Sequence, residues 1–253
     1  MKKILLTTAL LSSALLASSL KVGVLGVAMD YREYSKTTDQ ILDSETTSLS
    51  DLKGMELKFD SEINDYLSYE IYGSYISGNS QYIGSLLNSN AGYGSYVGST
   101  ANSIIDTGAI LKNYNKIDDA TIYIGAGIGY KYWKRELSAA QVEDYSWMYG
   151  LINLGVEYKA FEKVTIGLDL KYAYAYEPQM IATGISGTFK LGGVNTYSFG
   201  IPITYKFSKS YEFYIDNVFE TQKITESNVV QGFYEPRSTT QNHYLKVGVK
   251  YNF

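Results

Sequence analysis

From residue 21 to the end at Phe253, apolar and polar side chains alternate with a period of two, and clusters of turn-forming residues break the alternation repeatedly. Successive side chains of a strand point to opposite faces, so each run predicts a strand with one apolar and one polar face. Residues 164–176 are the clearest case. Val164, Ile166, Leu168, Leu170, Tyr172, Tyr174 and Tyr176 alternate there with Thr165, Gly167, Asp169, Lys171, Ala173 and Ala175. Residues 120–133 set Ile122, Ile124, Ala126, Ile128, Tyr130 and Tyr132 against Tyr123, Gly125, Gly127, Gly129 and Lys131.

The pattern predicts ten strands, at 21–34, 54–63, 67–77, 103–114, 120–133, 145–158, 164–176, 197–207, 211–226 and 240–253. Their connections alternate between long polar loops, such as 35–53, 78–102 and 134–144, and short turns, such as Asn64-Asp65 and Ser208-Lys209-Ser210. An even number of antiparallel strands with this long-short rhythm is what a transmembrane barrel needs. The fold class expected is therefore all-β, a closed antiparallel transmembrane β-barrel of ten strands. Loose alternation at 103–114 keeps eight or twelve strands open. The loop at 78–102 carries Ile83, Leu86 and Leu87, enough for a short helix or a lid, and Pro202 inside its strand predicts a bulge.

Alternation alone does not say which face meets solvent. Two features assign the polar face to a lumen. Charges lie at mid-strand, and those expected to point inward are Asp30, Arg32, Glu56, Lys58, Glu70, Lys131, Glu157, Asp169, Lys171, Lys206, Glu212 and Lys246. Aromatic residues gather at the ends of the apolar faces, among them Tyr130, Tyr132, Trp133, Tyr174, Tyr176, Tyr197 and Phe207, as interfacial girdles require. On this assignment Leu25, Val27, Met29 and Tyr31 of the first strand face lipid. Hydrocarbon offers no partner to unpaired N–H and C=O groups, so strands cross it only as a closed barrel.

The start of the chain adds a destination. Met1-Lys2-Lys3, the apolar stretch 4–16 and Ala17-Ser18-Ser19 have the form of a secretory signal, with cleavage expected after Ser19. This divides the chain into a signal peptide at 1–19 and a barrel domain at 20–253. With no Cys there is no lipoprotein anchor site, and the net charge of -4 is spread without the basic stripe of a nucleic-acid binder.

At the other end, Lys246-Val247-Gly248-Val249-Lys250-Tyr251-Asn252-Phe253 places Leu245, Val247, Val249, Tyr251 and Phe253 on one face. Lys246, Gly248, Tyr251 and Phe253 resemble the terminal assembly signal of outer-membrane barrel proteins. The chain as a whole resembles the small outer-membrane β-barrels of the opacity-protein and outer membrane protein A type, in pattern more than in motif. That family commonly has eight strands, and this chain departs in having ten. The resemblance implies the outer membrane of a Gram-negative bacterium, with membrane lipid, lipopolysaccharide and the barrel-assembly machinery as partners.

Candidate chemistry is sparse. His243 is the only histidine, and its parity puts it on the lipid face near the outer interface, with Asn242 and Tyr244 beside it and no acid within two positions. The string Gly125-Ala126-Gly127-Ile128-Gly129 lies mid-strand with no helix after it, so it fails as a phosphate loop and suits lumen glycines making room for larger neighbours. Asp39, Asp43, Glu45 and Asp51 lack the spacing of a calcium loop. No catalytic, cofactor or metal residues are assigned. The expected function is a structural and surface-display barrel, with loops 35–53 and 78–102 as the surface for a ligand. A narrow porin-like channel is the alternative, and an outer-membrane hydrolase has the least support.

Overall fold

The computed structural model describes residues 18–85 and 92–253, and all regular structure among them is strand. In chain order the strands are β1 (Ser19–Tyr34), β2 (Ile41–Thr46), β3 (Leu52–Asn64), β4 (Leu67–Gly84), β5 (Tyr96–Ile117), β6 (Ala120–Ser138), β7 (Gln141–Phe161), β8 (Val164–Ala182), β9 (Phe189–Lys190), β10 (Val194–Lys206), β11 (Tyr211–Ile224) and β12 (Arg237–Asn252). Ten of them close a barrel in which each pairs antiparallel with the next, and β12 returns to β1 along its whole length, from Ser19 opposite Asn252 to Tyr34 opposite Arg237. Closure leaves the barrel wall without an open side, as a lipid-facing sheet requires. The expected signal peptide lies outside the described residues except for Ser18 and Ser19, and Ser19 opens β1.

β2 and β9 lie off this ring of ten. β2 occupies much of the expected loop 35–53. It pairs with the outer part of β1 and with Gln81 to Ile83 of β4, directly in line with β3. The second barrel position is thus one strand interrupted by Thr47, Ser48, Leu49, Ser50 and Asp51. Asp51 turns this insertion by accepting from the Ser48 amide and hydroxyl at 2.7 Å each, and the Thr47 hydroxyl accepts the Met29 amide at 2.8 Å.

Other expected loops also shorten. β4 and β5 extend into 78–102 as far as Gly84 and back to Tyr96, so that Ile83 is strand, and Leu86 and Leu87 lie outside the described residues. The expected loop 134–144 is a tight hairpin, with β6 ending at Ser138 and β7 beginning at Gln141. The opposite end carries only short turns at 65–66, 118–119, 162–163 and 207–210. A bulge at Pro202 does not occur. β10 keeps one register against β11 through Pro202, and the missing N–H instead leaves Ile201 and Pro202 without partners on β8. Gly167 faces the proline ring there, and a Cβ at Gly167 would stand 2.8 Å from Pro202 Cγ.

β5 has 22 residues. At about 2.5 Å of height per tilted residue, such a strand is roughly twice as tall as a hydrocarbon band of about 25 Å. The outer half of the barrel therefore stands above the membrane. The facing expected of β1 is reversed along the whole strand. At membrane level Val22 and Val24 are exposed while Lys21 and Leu25 point into the lumen. Higher up Val27, Met29 and Tyr31 are buried inside, while Asp30 and Arg32 point outward and pair with each other at 2.7 Å. Trp133 also points inward, buried, and takes no part in a girdle. Above the membrane the outer face meets water, so charge moves outward and apolar side chains fill the interior.

Candidate functional site

Alternation along β3 to β8 and β10 to β12 sends one charged or tyrosine-bearing face into the lumen. There the acids and bases compensate one another. Lys21 meets Asp216 at 2.7 Å, Lys112 meets Glu70 at 2.7 Å, and Lys246 meets Glu56 at 2.9 Å, with Lys58 3.9 Å from the same carboxylate. Lys131 reaches from β6 to β11, where Gln222 accepts its proton at 3.0 Å and Glu220 lies at 3.6 Å. Tyrosines complete the network: Tyr123 donates to Asp169 at 2.5 Å, Tyr214 to Glu56 at 2.9 Å and Tyr149 to Asp106 at 2.5 Å. Among the described residues Lys171 has no carboxylate within ion-pair distance, and it lies 5.5 Å from the Tyr72 ring.

Two inward glycines are needed for this packing. Tyr149 lies opposite Gly129 and Tyr123 opposite Gly155, and each ring folds over its glycine so closely that a Cβ would come within 2.3 and 2.2 Å of Cζ. Bare backbone is the only surface at those positions that a cross-strand ring can cover.

A polar cavity of about 670 Å³ runs through the membrane-level lumen from the short-turn end, lined there by Asp65, Lys116 and Asn252. Of the charges expected to face the lumen, Glu56, Lys58, Glu70, Lys131, Glu157, Asp169, Lys171 and Lys246 line it. Lys206 and Glu212 stand opposite each other on β10 and β11 at the short-turn rim. Asp30 and Arg32 are outside it on the outward face.

The cavity ends against Leu25, Ile76, Ile104 and Ile110, which belong to a continuous apolar cluster with Val27, Met29, Trp133, Trp147 and Leu151. Phe189 of β9 and Leu191 seal the cluster from the loop side. Within it Trp133 stacks on Tyr145 at 5.3 Å, meets the edge of Tyr31 at 5.4 Å, and donates its indole N–H to Asn102 Oδ1 at 2.8 Å.

Above this layer sits Arg135, with 1 % of its side chain exposed. Its guanidinium donates to Glu45 at 2.7 Å, Glu143 at 2.8 Å and Glu33 at 3.0 Å, and so ties β6 to β1, β2 and β7. Tyr145 joins the cluster to Glu235 of the last outer loop by a short hydrogen bond. Three carboxylates thus hold one cation, and a fourth, Glu235, is linked to it through Tyr145. Burial would raise Glu45, but Arg135, Ser80 and Asn102 hold it below the usual carboxylate range. Burial, with Glu33 and Glu143 nearby, pushes Glu235 well up, and burial with Glu33 pushes Asp43 up to about 7.

Sequence reasoning missed Arg135 and Glu143 because it ended the neighbouring strands too early. Glu33 lay within the expected first strand but on the face assigned to lipid, and Glu235 belongs to the loop between β11 and β12. The signal was present: Lys131, Trp133 and Arg135 keep one parity, as do Glu143, Tyr145, Trp147 and Tyr149. His243 lies on the outward face, with its ring 4.6 Å from Phe219 in parallel stacking and its Nε2 2.6 Å from Asn217 Oδ1. Among the described residues no group of three or more His, Cys, Asp or Glu side chains has the geometry to hold a metal ion.

The fold and the distribution of polarity define an outer-membrane-type β-barrel. The transport unit of the autotransporter AIDA-I from Escherichia coli matches with a TM-score of 0.53 at 10% identity, covering 96% of this chain and 97% of that one. The outer membrane protease OmpT from Escherichia coli matches with a TM-score of 0.59 at 12% identity, covering 93% of this chain and 96% of that one. Neisserial surface protein A aligns over 92% of this chain at a TM-score of 0.40. No protein-family model and no curated protein sequence matches. The chain is a small, closed, ten-stranded barrel of the outer-membrane kind.

Proposed function

We propose that this barrel is a closed, non-conducting element of a Gram-negative outer membrane that presents its outer loops at the cell surface. The observation that carries this reading is the double closure of the outer lumen. The apolar layer around Trp133 lies under the Arg135 cluster, and both are built from side chains that cross from wall to wall. Systematic ion pairing below the layer has the same effect, because paired charges leave little free field to draw ions through. The surface on offer is the loop at 35–40, the ends of the hairpin around 85–95 and the loop at 225–236. In this reading Lys246, Gly248, Tyr251 and Phe253 of the last strand serve as the handle for the assembly machinery. Among the described residues His243 has no carboxylate partner and is held by Asn217, which supports a non-enzymatic role.

A narrow channel is the second reading, favoured by the cavity of about 670 Å³ that reaches the short-turn end. Planar-bilayer recording separates the two. The wild-type protein is expected to be electrically silent, and discrete, reproducible conductance steps would overturn the closed reading.

A further inference from the structure

The membrane-facing wall carries a concavity of about 550 Å³, bordered by segments of β7, β8, β10, β11 and β12. Its outward side chains include Leu154, Leu170, Phe199 and Phe219, which give it an apolar floor. Its edges are fixed in place. Tyr172 packs on Tyr197 at 5.0 Å and donates to Asn195 Oδ1 at 2.8 Å, and Phe219 is stacked by His243, itself held by Asn217.

Height and charge together define what fits. Phe219 and Thr221 stand eight and ten positions beyond the start of β11 at Tyr211, or about 20 to 25 Å up the wall at a tilted rise of about 2.5 Å per residue. The groove therefore lies in the outer leaflet. Lys223, the next outward residue of β11, stands about 30 Å up, at headgroup level. It is exposed, lies opposite Asn195 and Thr239, and makes no ion pair among the described residues. An apolar slot with one unpaired cation directly above it complements an acyl chain beneath a phosphate.

We propose that this groove holds an acyl chain of a phosphorylated outer-leaflet glycolipid of the lipopolysaccharide class, with Lys223 taking a headgroup phosphate. The assignment rests on the reading of the chain as an outer-membrane barrel. His243 and Asn217 act as positioning residues, keeping the Phe219 ring upright along the slot.

The test uses the full chain folded in detergent, lipid A as the probe and native mass spectrometry as the readout. One lipid A per folded chain is expected. Lys223→Glu should weaken retention about tenfold, since a charge reversal at headgroup level removes one attraction and adds one repulsion, and lipid A stripped of phosphate should weaken it comparably. Lys53→Glu, at the same height on β3 outside the groove, should leave retention unchanged. The proposal is overturned if folded protein retains no lipid A, if Lys223→Glu or the phosphate-free probe binds as well as its parent, or if a second copy of the chain appears in place of the lipid. Electrophoretic mobility of the unheated protein reports folding independently. Failure of the wild type to give the compact, heat-sensitive band would sink the barrel reading, while a folded barrel without lipid would sink only this site.

Discussion

Near Leu154 and Leu170 the wall is apolar outside and ionic inside, whereas near Arg32 and Arg135 the outward face carries the Asp30–Arg32 pair and the interior is aromatic and aliphatic around one buried cation. Most of the strands pass through both regions without changing their alternation, while β8 shifts by one at a bulge near Glu177, so that Ala173 and Ala175 below it and Pro178 and Met180 above it point inward. What changes is the medium beyond the wall: hydrocarbon below and water above. A face with the same parity is therefore apolar at one height and charged at another. The lower region needs a lumen that keeps its charges neutralised, and the upper needs a core, which it builds much as a soluble domain does.

Removing the buried cation should break this contrast most severely. Arg135→Ala leaves Glu33, Glu45 and Glu143 buried without their common partner, and breaking a buried ion pair from one side costs about 3–5 kcal/mol. The loss should stay in the outer half. Hydrogen exchange is expected to accelerate in β2 and the loop at 225–236 while the membrane-level strands stay protected, and equal acceleration in both regions would contradict the division. The same variant should bring intermittent conductance to an otherwise silent barrel.

Trp133→Ala comes next. It removes the ring that joins Tyr31, Tyr145 and Asn102 and opens a cavity in the apolar layer, at a cost of about 3 kcal/mol. In the lower region Lys112→Met should cost about 1–3 kcal/mol, read from urea-induced unfolding of the folded barrel, because it strands the Glu70 carboxylate. Changing Glu70→Leu with it should recover most of that loss. A double variant no better than the single would show that the lumen pairs are not independent.

Much of the fold was legible because a period of two needs no knowledge of the surroundings. Strand number, closure, the short turns and the inward tyrosine-glycine packing at Gly129 and Gly155 all follow from parity. Facing was legible where charged and apolar residues alternate at membrane level, hence Glu56, Glu70 and Asp169 inside. By contrast β1, with apolar residues of both parities, was reversed along its length, with Leu25 and Val27 inside and Asp30 and Arg32 outside. Strand ends were hidden because polar residues above the membrane look like loop residues. Arg135 and Glu143 lie in a stretch whose charges suit a solvated turn, and only the continued parity of Trp133 and Tyr145 distinguishes it from one. β2 was hidden for another reason: the insertion from Thr47 to Asp51 breaks the period between two halves of one barrel position.

The acids around Arg135 make the outer half sensitive to pH in a definite direction. Asp43 has a folded pKa of about 7 against an ordinary value of 3.8, and Glu235 is shifted the same way. A raised carboxylate contributes most to stability below its unfolded pKa, and that contribution is lost as pH climbs to the folded value. Asp43 alone therefore weakens the outer half between about pH 4 and pH 7. Slower exchange in β2 at pH 5 than at pH 8, after correction for the intrinsic rate, is the expected result. Asp43→Asn should flatten the difference, and an unchanged profile in that variant would mean that other groups set it.

The smallest effect is expected outside the wall. Asp30 and Arg32 are paired at 2.7 Å, but their side chains are 37% and 47% exposed, so water competes for both and the pair contributes at most about 0.5 kcal/mol. Arg32→Ala should therefore leave unfolding and conductance close to wild type, although it lies only one strand position from Tyr31 and Glu33, whose side chains belong to the inner cluster. A loss above about 1 kcal/mol would place Arg32 in the interior and return the first strand to the facing its sequence suggests. Stability unchanged within error would confine the cost of charge removal to residues with inward parity, which is the property separating Arg135 from Arg32.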